Sequence, residues 1–341
     1  MVGMPVISVI IPCRNEISSI GLVLADLAAQ IGTEPFEVIV ADGGSDDGTR
    51  AFVEREALVE DRPFILRIID NSKRIIPTAL NLAVTAASGH YVIRIDGHCR
   101  LEPDYLGKIA AALKIPSQDV VGPQIRQIPG GSGLLAQAIA QLLSSPVGTG
   151  GTPSRGQLQV PRAVVHTVMS CYRREVWEQV GGYDERLLSN EDFDFDYRAG
   201  LMGFKVVSLP EPEFRLLARA TVSGLFRQRW RYGWWKSVVA RKFPASLQMR
   251  QVAPPVLLLG FMAVLLLAPL VAVIAASTYL LAGWIAGYFA ARNAPLVTIC
   301  VTVVCAPLIL AVIHGAWALG FLVGLIANRT SVRSPALRVV A

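Results

Sequence analysis

YVIRIDGHCR, from Tyr91 to Arg100, is the stretch on which the reading of this sequence turns. Val92, Ile93 and Ile95 form a short apolar, β-favouring run, which reads as a strand buried in a parallel sheet. The run stops at Asp96 and His98, with Gly97 between them. Ligands of open α/β sheets gather at the carboxyl ends of such strands. An oxygen and a nitrogen ligand one residue apart suit a divalent cation, Mn or, less readily, Mg. Asp-Gly is equally at home in a plain turn, so the surroundings must decide between the two.

Working back from Tyr91, the sequence alternates. Thr78 to Ala87 predicts a helix, Phe64 to Asp70 a strand, Phe36 to Ala41 (FEVIVA) another strand, and Pro5 to Pro12 (PVISVIIP) a central parallel strand. A helix over Ser18 to Gln30 carries Ile20, Val23, Leu24 and Leu27 on one face. Between the second strand and a helix opening near Thr49 lies the acidic, glycine-rich run Asp42 to Gly48. It lacks the spacing of the dinucleotide fingerprint and of the phosphate-loop lysine motif. A carboxylate at the strand end suits hydrogen bonding to a base or ribose, and Gly43 and Gly44 let the backbone come close. The expected fold class is therefore α/β, a Rossmann-like nucleotide-binding domain.

Three segments carry a family resemblance. VIIPCRNE (Val9 to Glu16), EVIVADGGSDDGT (Glu37 to Thr49) and VIRIDGH (Val92 to His98) resemble the nucleotide-sugar segments of family 2 inverting glycosyltransferases, which have a GT-A fold. The resemblance implies that Pro12, Arg14, Glu16 and Asp42 hold the nucleotide, with Asn71 and Lys73 beside it. It implies that Asp96 binds metal and diphosphate as the first residue of an Asp-x-Asp motif. His98 stands where the second aspartate is usual, as in the subgroup resembling succinoglycan glucosyltransferases.

After Leu113 the rhythm changes. Pro129 to Gln157 is rich in glycine and serine around an apolar helix at Leu134 to Leu143, and reads as a lid or as a surface insertion. Further on, Glu191, Asp192, Asp194 and Asp196 alternate with aromatics. A helix starting at Phe193 would bury Phe193, Tyr197 and Leu201 and place Asp196 further along, away from an acceptor. Acidic residues suit a helix N-terminus for dipole reasons alone. Asn190, Glu191 and Asp192 also resemble the family's Glu-Asp motif, which implies that Asp192 is the general base with Glu191 beside it. Transfer with inversion needs one carboxylate to take the acceptor hydroxyl's proton.

Composition points to a membrane. Of 341 residues, 52% are hydrophobic and the mean hydropathy is +0.46, above the roughly 45–50% apolar usage of soluble chains. Between Val252 and Ala327 only Arg292 and His314 interrupt with a charged or imidazole side chain. Just before this, Thr221 to Phe243 interleaves Trp230, Trp234 and Trp235 with arginines and lysines. That pattern and the net charge of +6 fit a membrane surface better than nucleic acid, because the cluster adjoins the apolar run. Its QRWRY string resembles the Gln-x-x-Arg-Trp motif of membrane family 2 enzymes, which implies that Gln228, Arg231 and Tyr232 lie near acceptor and diphosphate. The five cysteines follow neither a disulfide nor a zinc pattern.

The expected organisation is a GT-A domain over residues 1–220, an amphipathic interfacial segment over 221–250, transmembrane helices over 251–327 and a basic tail over 328–341. Three helices divide the apolar length, at Pro254 to Ala276, Tyr279 to Leu296 and Thr298 to Leu322, within a range of two to four. No secretory signal opens the sequence, so the catalytic domain is expected at the cytoplasmic face of the inner (plasma) membrane, on a multi-pass anchor. The expected activity is metal-dependent transfer of a sugar from a nucleotide-diphosphate donor, UDP-glucose or similar, to a polyprenyl-linked saccharide. Membrane lipid is a second partner. A polyprenyl-phosphate glycosyltransferase and a catalytically silent nucleotide-sugar binder are the alternatives.

Overall fold

A computed structural model of the protein describes residues 4–155 and 158–327; the expected basic tail lies outside the described residues. Contacts divide the chain into two compact units. One comprises the residues up to Arg126 together with Pro153–Leu217, the other Gln127–Thr152 together with the chain from Ala218 onward.

The first unit is built on a mixed sheet. Its strands are β1 (Ile7–Cys13), β2 (Phe36–Asp42), β3 (Ile65–Asp70), β4 (Tyr91–Arg94), β5 (Cys99–Leu101), β6 (Val120–Ile128), β7 (Arg162–Ala163), β8 (Cys171–Arg173) and β9 (Val206–Leu217). The spatial order is β3-β2-β1-β4-β8-β6-β9-β5, with β7 added on β9. β1 to β4 are parallel, whereas β8 runs antiparallel to both β4 and β6. The helices here are α1 (Ile20–Ala28), α2 (Thr49–Ala57), α3 (Ile76–Ala86) and α4 (Tyr105–Leu113), and, beyond the excursion at Gln127–Thr152, α7 (Arg174–Val180) and α8 (Glu191–Leu201).

Period two explains why the central strands read as continuous apolar runs. Val9, Ile11, Val38 and Val40 face one core, with α1 and α4, while Ile10, Ile39 and Ala41 face the other, with α3, α7 and α8. β3, at the edge, buries Leu66 and exposes its neighbours Ile65 and Arg67. Glu37 is the charged exception on buried β2. Its carboxylate accepts hydrogen bonds from Ser8 Oγ, Ser88 N and Ser88 Oγ at 2.6–2.7 Å and pairs with Arg67. Burial would raise its pKa, but these donors together hold it below the ordinary value.

The second unit contains α5 (Leu134–Ser144), the single turn α6 (Pro146–Thr149), α9 (Val222–Lys242), α10 (Met249–Leu267), α11 (Pro269–Ala291) and α12 (Leu296–Ala327). The last three are long and apolar enough to cross a membrane, with mean hydropathies of 1.8, 1.8 and 2.9. Leu257, Leu266, Leu267 and Ile274 are exposed on them, an apolar surface suited to lipid. Their borders differ from the expected ones. The first break comes at Ala268, because Pro269 lacks an N–H and its ring cannot follow a continuing helix turn. It does not come between Ala276 and Tyr279.

One further expectation changes in this unit. The helix within the glycine-rich segment is neither lid nor surface insertion. Ala138, Ile139, Leu142 and Leu143 of α5 are buried in one cluster with Ala306, Ile309, Leu310 and Ile313 of α12, and Thr298 Oγ1 donates to Gln137 Oε1 at 2.7 Å. The basic-aromatic α9, in turn, is packed along α12. A β-carbon on Gly320 would lie 2.2 Å from the carbonyl oxygen of Trp230, and one on Gly233 would lie 2.0 Å from that of Trp317. Such close approach is how small residues fasten membrane helices.

Candidate active site

Parallel register brings the carboxyl ends of three strands level, with Cys13 beside Asp42 and Asp42 beside Asp70. The loops that follow are laced together. Asn15, at a φ of 57°, donates its N–H to Ser45 Oγ (2.9 Å) and exchanges side-chain bonds with Asp46. Glu16 N donates to Thr49 Oγ1 at 2.9 Å. Asp42 is 1% exposed, and its carboxylate accepts from Gly44 N, Ser45 N and Ser45 Oγ. It therefore shapes its own loop, an Asx-type turn that the residue order alone does not reveal. Burial, followed by the charges of Glu16, Asp42 and Asp47, pushes the Cys13 thiol up to about 12, which keeps it a neutral packing residue.

The other expected donor residues border the same edge. Pro12 is half-buried one residue before the end of β1, and Arg14 is exposed beside Gly43. Asn71 donates its N–H to the carbonyl of Asp42 and its Nδ2 to that of Ile75, while its Oδ1 is buried with no hydrogen bond among the described residues. Lys73 is tied to Glu185 at 2.6 Å. Gln228, Arg231 and Tyr232 belong to α9 in the second unit, where Gln228 Nε2 reaches Tyr232 Oη at 3.4 Å and the Arg231 guanidinium lies 5.9 Å from the Tyr232 ring.

Two juxtapositions were not legible in the sequence. The first is Glu16 with His98, whose Nδ1 lies 2.9 Å from Glu16 Oε1. A carboxylate oxygen accepts, so Nδ1 is the donor in this pair and Nε2 is the ring nitrogen turned away from Glu16. The donor set at Asp96 and His98 thus fits a divalent ion held by two protein ligands, the remaining positions falling to a donor's phosphates. Among the described residues no three His, Cys, Asp or Glu side chains cluster closely enough to enclose a cation alone.

The second juxtaposition centres on Arg94, which sits inside the opening stretch and is 4% exposed. Its guanidinium lies 3.6 Å from Asp96 Oδ1 and 3.2 Å from Glu191 Oε1. Burial would lower its pKa, but Asp96, Glu191 and Asp192 together raise it above the ordinary value, so it stays charged. For Glu191 burial comes first, then the Asp192 charge; both raise its pKa, against the opposing pull of Arg94. A charged residue amid a buried apolar strand was the available signal.

α8 differs from expectation. It begins at Glu191, because Asn190 takes a φ of 63° and its carbonyl accepts the first helical bond from Asp194 N. Phe193 is buried as expected, but it shares the interior with Glu191, Asp194, Phe195, Asp196 and Ala199, while Leu201 is 55% exposed. Arg198 anchors the helix to Asp194 and to the carbonyls of Val180 and Gly182, and Phe195 stacks between Tyr172 and Tyr183. Asp192 stays partly exposed in the first turn, its Oδ1 accepting the N–H of Phe193 at 2.7 Å. Asp196 is not remote. It is wholly buried and bonded to Nδ1 of His166 at 2.7 Å, and Nε2 of that ring lies 4.0 Å from Asp192.

The family model described as "Glycosyl transferase family 2" matches residues 8–181, about half of the chain. The chain belongs to this family. The succinoglycan biosynthesis protein ExoA of Rhizobium meliloti is 33% identical over 248 residues, 72% of this chain and 73% of that protein. The glycosyltransferase AglE of Haloferax volcanii is 26% identical over 60% of this chain and 64% of its own. Among solved structures, the mannosyltransferase PcManGT of Pyrobaculum calidifontis, in complex with GDP-Man and Mn2+, aligns with a TM-score of 0.59 at 20% identity, over 95% of this chain and 88% of that one. TarS 1-349 of S. aureus, in complex with UDP-GlcNAc, aligns at 0.50 and 19% identity, over 66% of each chain. The transferase therefore has a GT-A fold, and the expected family and fold class hold.

Proposed function

We propose that the transferase moves a sugar, with inversion, from a nucleotide-diphosphate donor to a hydroxyl of a polyprenyl-linked saccharide in exopolysaccharide or envelope-glycan assembly. The observation that carries this reading is the Arg94 bridge, which ties Asp96 at the strand end to Glu191 at the start of α8, beside Asp192. A donor-side carboxylate and a base for the acceptor are thereby held in one rigid piece. In this reading Asp192 takes the proton of the acceptor hydroxyl as its oxygen attacks the anomeric carbon, and Glu191 and Arg94 fix the helix start that carries it.

The laced loops bearing Pro12, Arg14, Glu16 and Asp42, with Asn71 and Lys73 nearby, are the proposed seat of the nucleotide, uridine by the resemblance. A divalent cation, Mn or Mg, would be held by Asp96 and His98, and when bound would supply positive charge for the departing diphosphate. ExoA's succinoglycan connection supports a lipid-linked carbohydrate acceptor. The role of Gln228, Arg231 and Tyr232 toward acceptor and diphosphate rests on their motif. The three apolar helices support a multi-pass anchor in the inner membrane, with catalysis on the cytoplasmic side.

The test is to incubate membranes carrying the protein with labelled UDP-glucose, UDP-galactose, UDP-GlcNAc and GDP-mannose plus lipid extract, and to identify the labelled lipid. An oligosaccharide-lipid product supports the reading. A single sugar on polyprenyl phosphate replaces it with direct phosphate glycosylation, and donor binding without turnover replaces it with a silent binder.

A further inference from the structure

We infer that His166, held in place by buried Asp196, is a positioning residue that acts through Asp192 by taking up the proton Asp192 has accepted, an inference that rests on Asp192 being the general base. His166 lies between β7 and β8, and nothing in its sequence surroundings marks it. Its seat, however, is constructed. Asp196 is 0% exposed and accepts from His166 Nδ1 (2.7 Å), Thr167 N (2.9 Å) and Ser170 Oγ (2.7 Å). The Thr167 side chain comes so close to β6 that a β-carbon on Gly122 would sit 1.9 Å from its Oγ1. The imidazole also packs against Phe193, ring centres 5.2 Å apart. With Nδ1–H donating to Asp196, Nε2 is on the side facing Asp192 Oδ2, 4.0 Å away, and in the neutral form of this tautomer it is the ring atom that can accept a proton. Once Asp192 carries the acceptor's proton, a movement of roughly 1 Å brings its O–H within hydrogen-bond range of Nε2, the kind of tightening that accompanies substrate binding.

The proton accounting closes within these groups. The acceptor oxygen forms its bond to the anomeric carbon, the bond to the diphosphate breaks with its electron pair, and the acceptor's proton passes to Asp192. From Asp192 it moves to Nε2, giving an imidazolium whose Nδ1–H stays bonded to the Asp196 carboxylate. Release to water as product leaves restores the starting state. Burial raises the pKa of Asp196, and the hydrogen bond from His166 followed by its charge pulls it back; an imidazolium in this seat therefore has a counter-charge ready. A packing role alone would need only the bond between His166 and Asp196, and gives no reason for Nε2 to face the proposed base.

His166→Asn separates the two roles, because its amide nitrogen overlays Nδ1 and can still donate to Asp196 while nothing replaces Nε2. The full chain in membranes is assayed with the donor panel above, using the donor that wild type turns over. We expect turnover to fall of order 100-fold with donor KM nearly unchanged, the usual penalty for a misplaced catalytic group. We also expect the Asp192→Asn/His166→Asn double variant to be no slower than Asp192→Asn alone, since a residue acting through another has no separate effect once the other is gone. Near-normal turnover in His166→Asn, or losses that multiply in the double variant, would overturn the inference. If the asparagine variant does not fold, His166→Gln, whose amide reaches the Nε2 position but cannot take up a proton, goes through the same cycle: near-normal turnover there overturns the inference, and a loss absent from the Asp192→Asn background supports it. Near-normal turnover in Asp192→Asn instead removes the base assignment itself, a result distinct from a failure at His166 alone.

Discussion

Arg94→Met probes the bridge on which the site is built. The change removes a buried guanidinium from between Asp96 and Glu191, 3.6 and 3.2 Å away, and keeps most of the volume. Breaking a buried ion pair by deleting one partner costs about 3–5 kcal/mol, because the remaining charge is left uncompensated. Glu191 can soften this by taking a proton, since burial and Asp192 already raise its pKa and Arg94 is the influence that lowers it. We therefore expect a loss of about 3 kcal/mol near neutral pH, or roughly 6–12 °C in the unfolding midpoint for a unit of this size. The sign of the pH dependence follows. A carboxylate whose folded pKa is raised above its unfolded value is bound to its proton, and costs nothing, at low pH; it destabilises progressively as pH rises through the folded value. The gap between variant and wild type should accordingly widen from acid toward alkaline pH. Adding Glu191→Gln should recover most of it, for the surplus charge is then gone. Thermal unfolding of the detergent-solubilised full chain at several pH values measures all of this. A midpoint equal to wild type, or no recovery in the double variant, would refute the bridging role of Arg94.

Four other sets of changes test separate parts of the molecule. Asp192→Asn should lower turnover by about 100-fold to 10,000-fold with donor affinity unmoved, measured by steady-state kinetics on membranes; a base is excluded by near-normal turnover. Asp96→Ala should abolish metal-dependent UDP binding in calorimetry, while His98→Asp should retain it and shift the preference from Mn toward Mg, oxygen ligands suiting the harder ion. Glu37→Gln should destabilise by about 1–3 kcal/mol at neutral pH through lost charge-assisted bonds. Because the folded pKa of Glu37 is depressed, the difference should vanish as pH falls through that value, as read from denaturant midpoints. Gly320→Ala should destabilise the second unit by about 1–3 kcal/mol of overpacking, since its β-carbon meets the Trp230 carbonyl at 2.2 Å; Gly315→Ala, which meets nothing within 4 Å, is the control in the same unfolding assay.

Local pattern was enough to determine a good deal of this protein. Alternating strands and helices, strand-end polar residues and an unbroken apolar C-terminal run each follow from neighbours within a few positions, so the α/β class and the three apolar helices could be read directly. The Glu-Asp pair at Glu191 and Asp192 was visible for the same reason. What the sequence could not determine is which charges meet. Arg94 acquires its role only because β4 and α8 are brought together around it. His166 and Asp196, thirty residues apart, acquire a chemical meaning only when both lie behind Asp192. The buried face of α8 was misjudged because a single left-handed residue, Asn190, started the helix two positions early and turned acidic side chains inward, where His166, Ser170, Arg94 and Arg198 compensate them. Likewise Leu134–Ser144 carried loop-like neighbours, yet its apolar face is buried against α12. Apolar periodicity is a property of adjacent residues. Charge compensation is a property of distant ones, decided when folding removes the water between them.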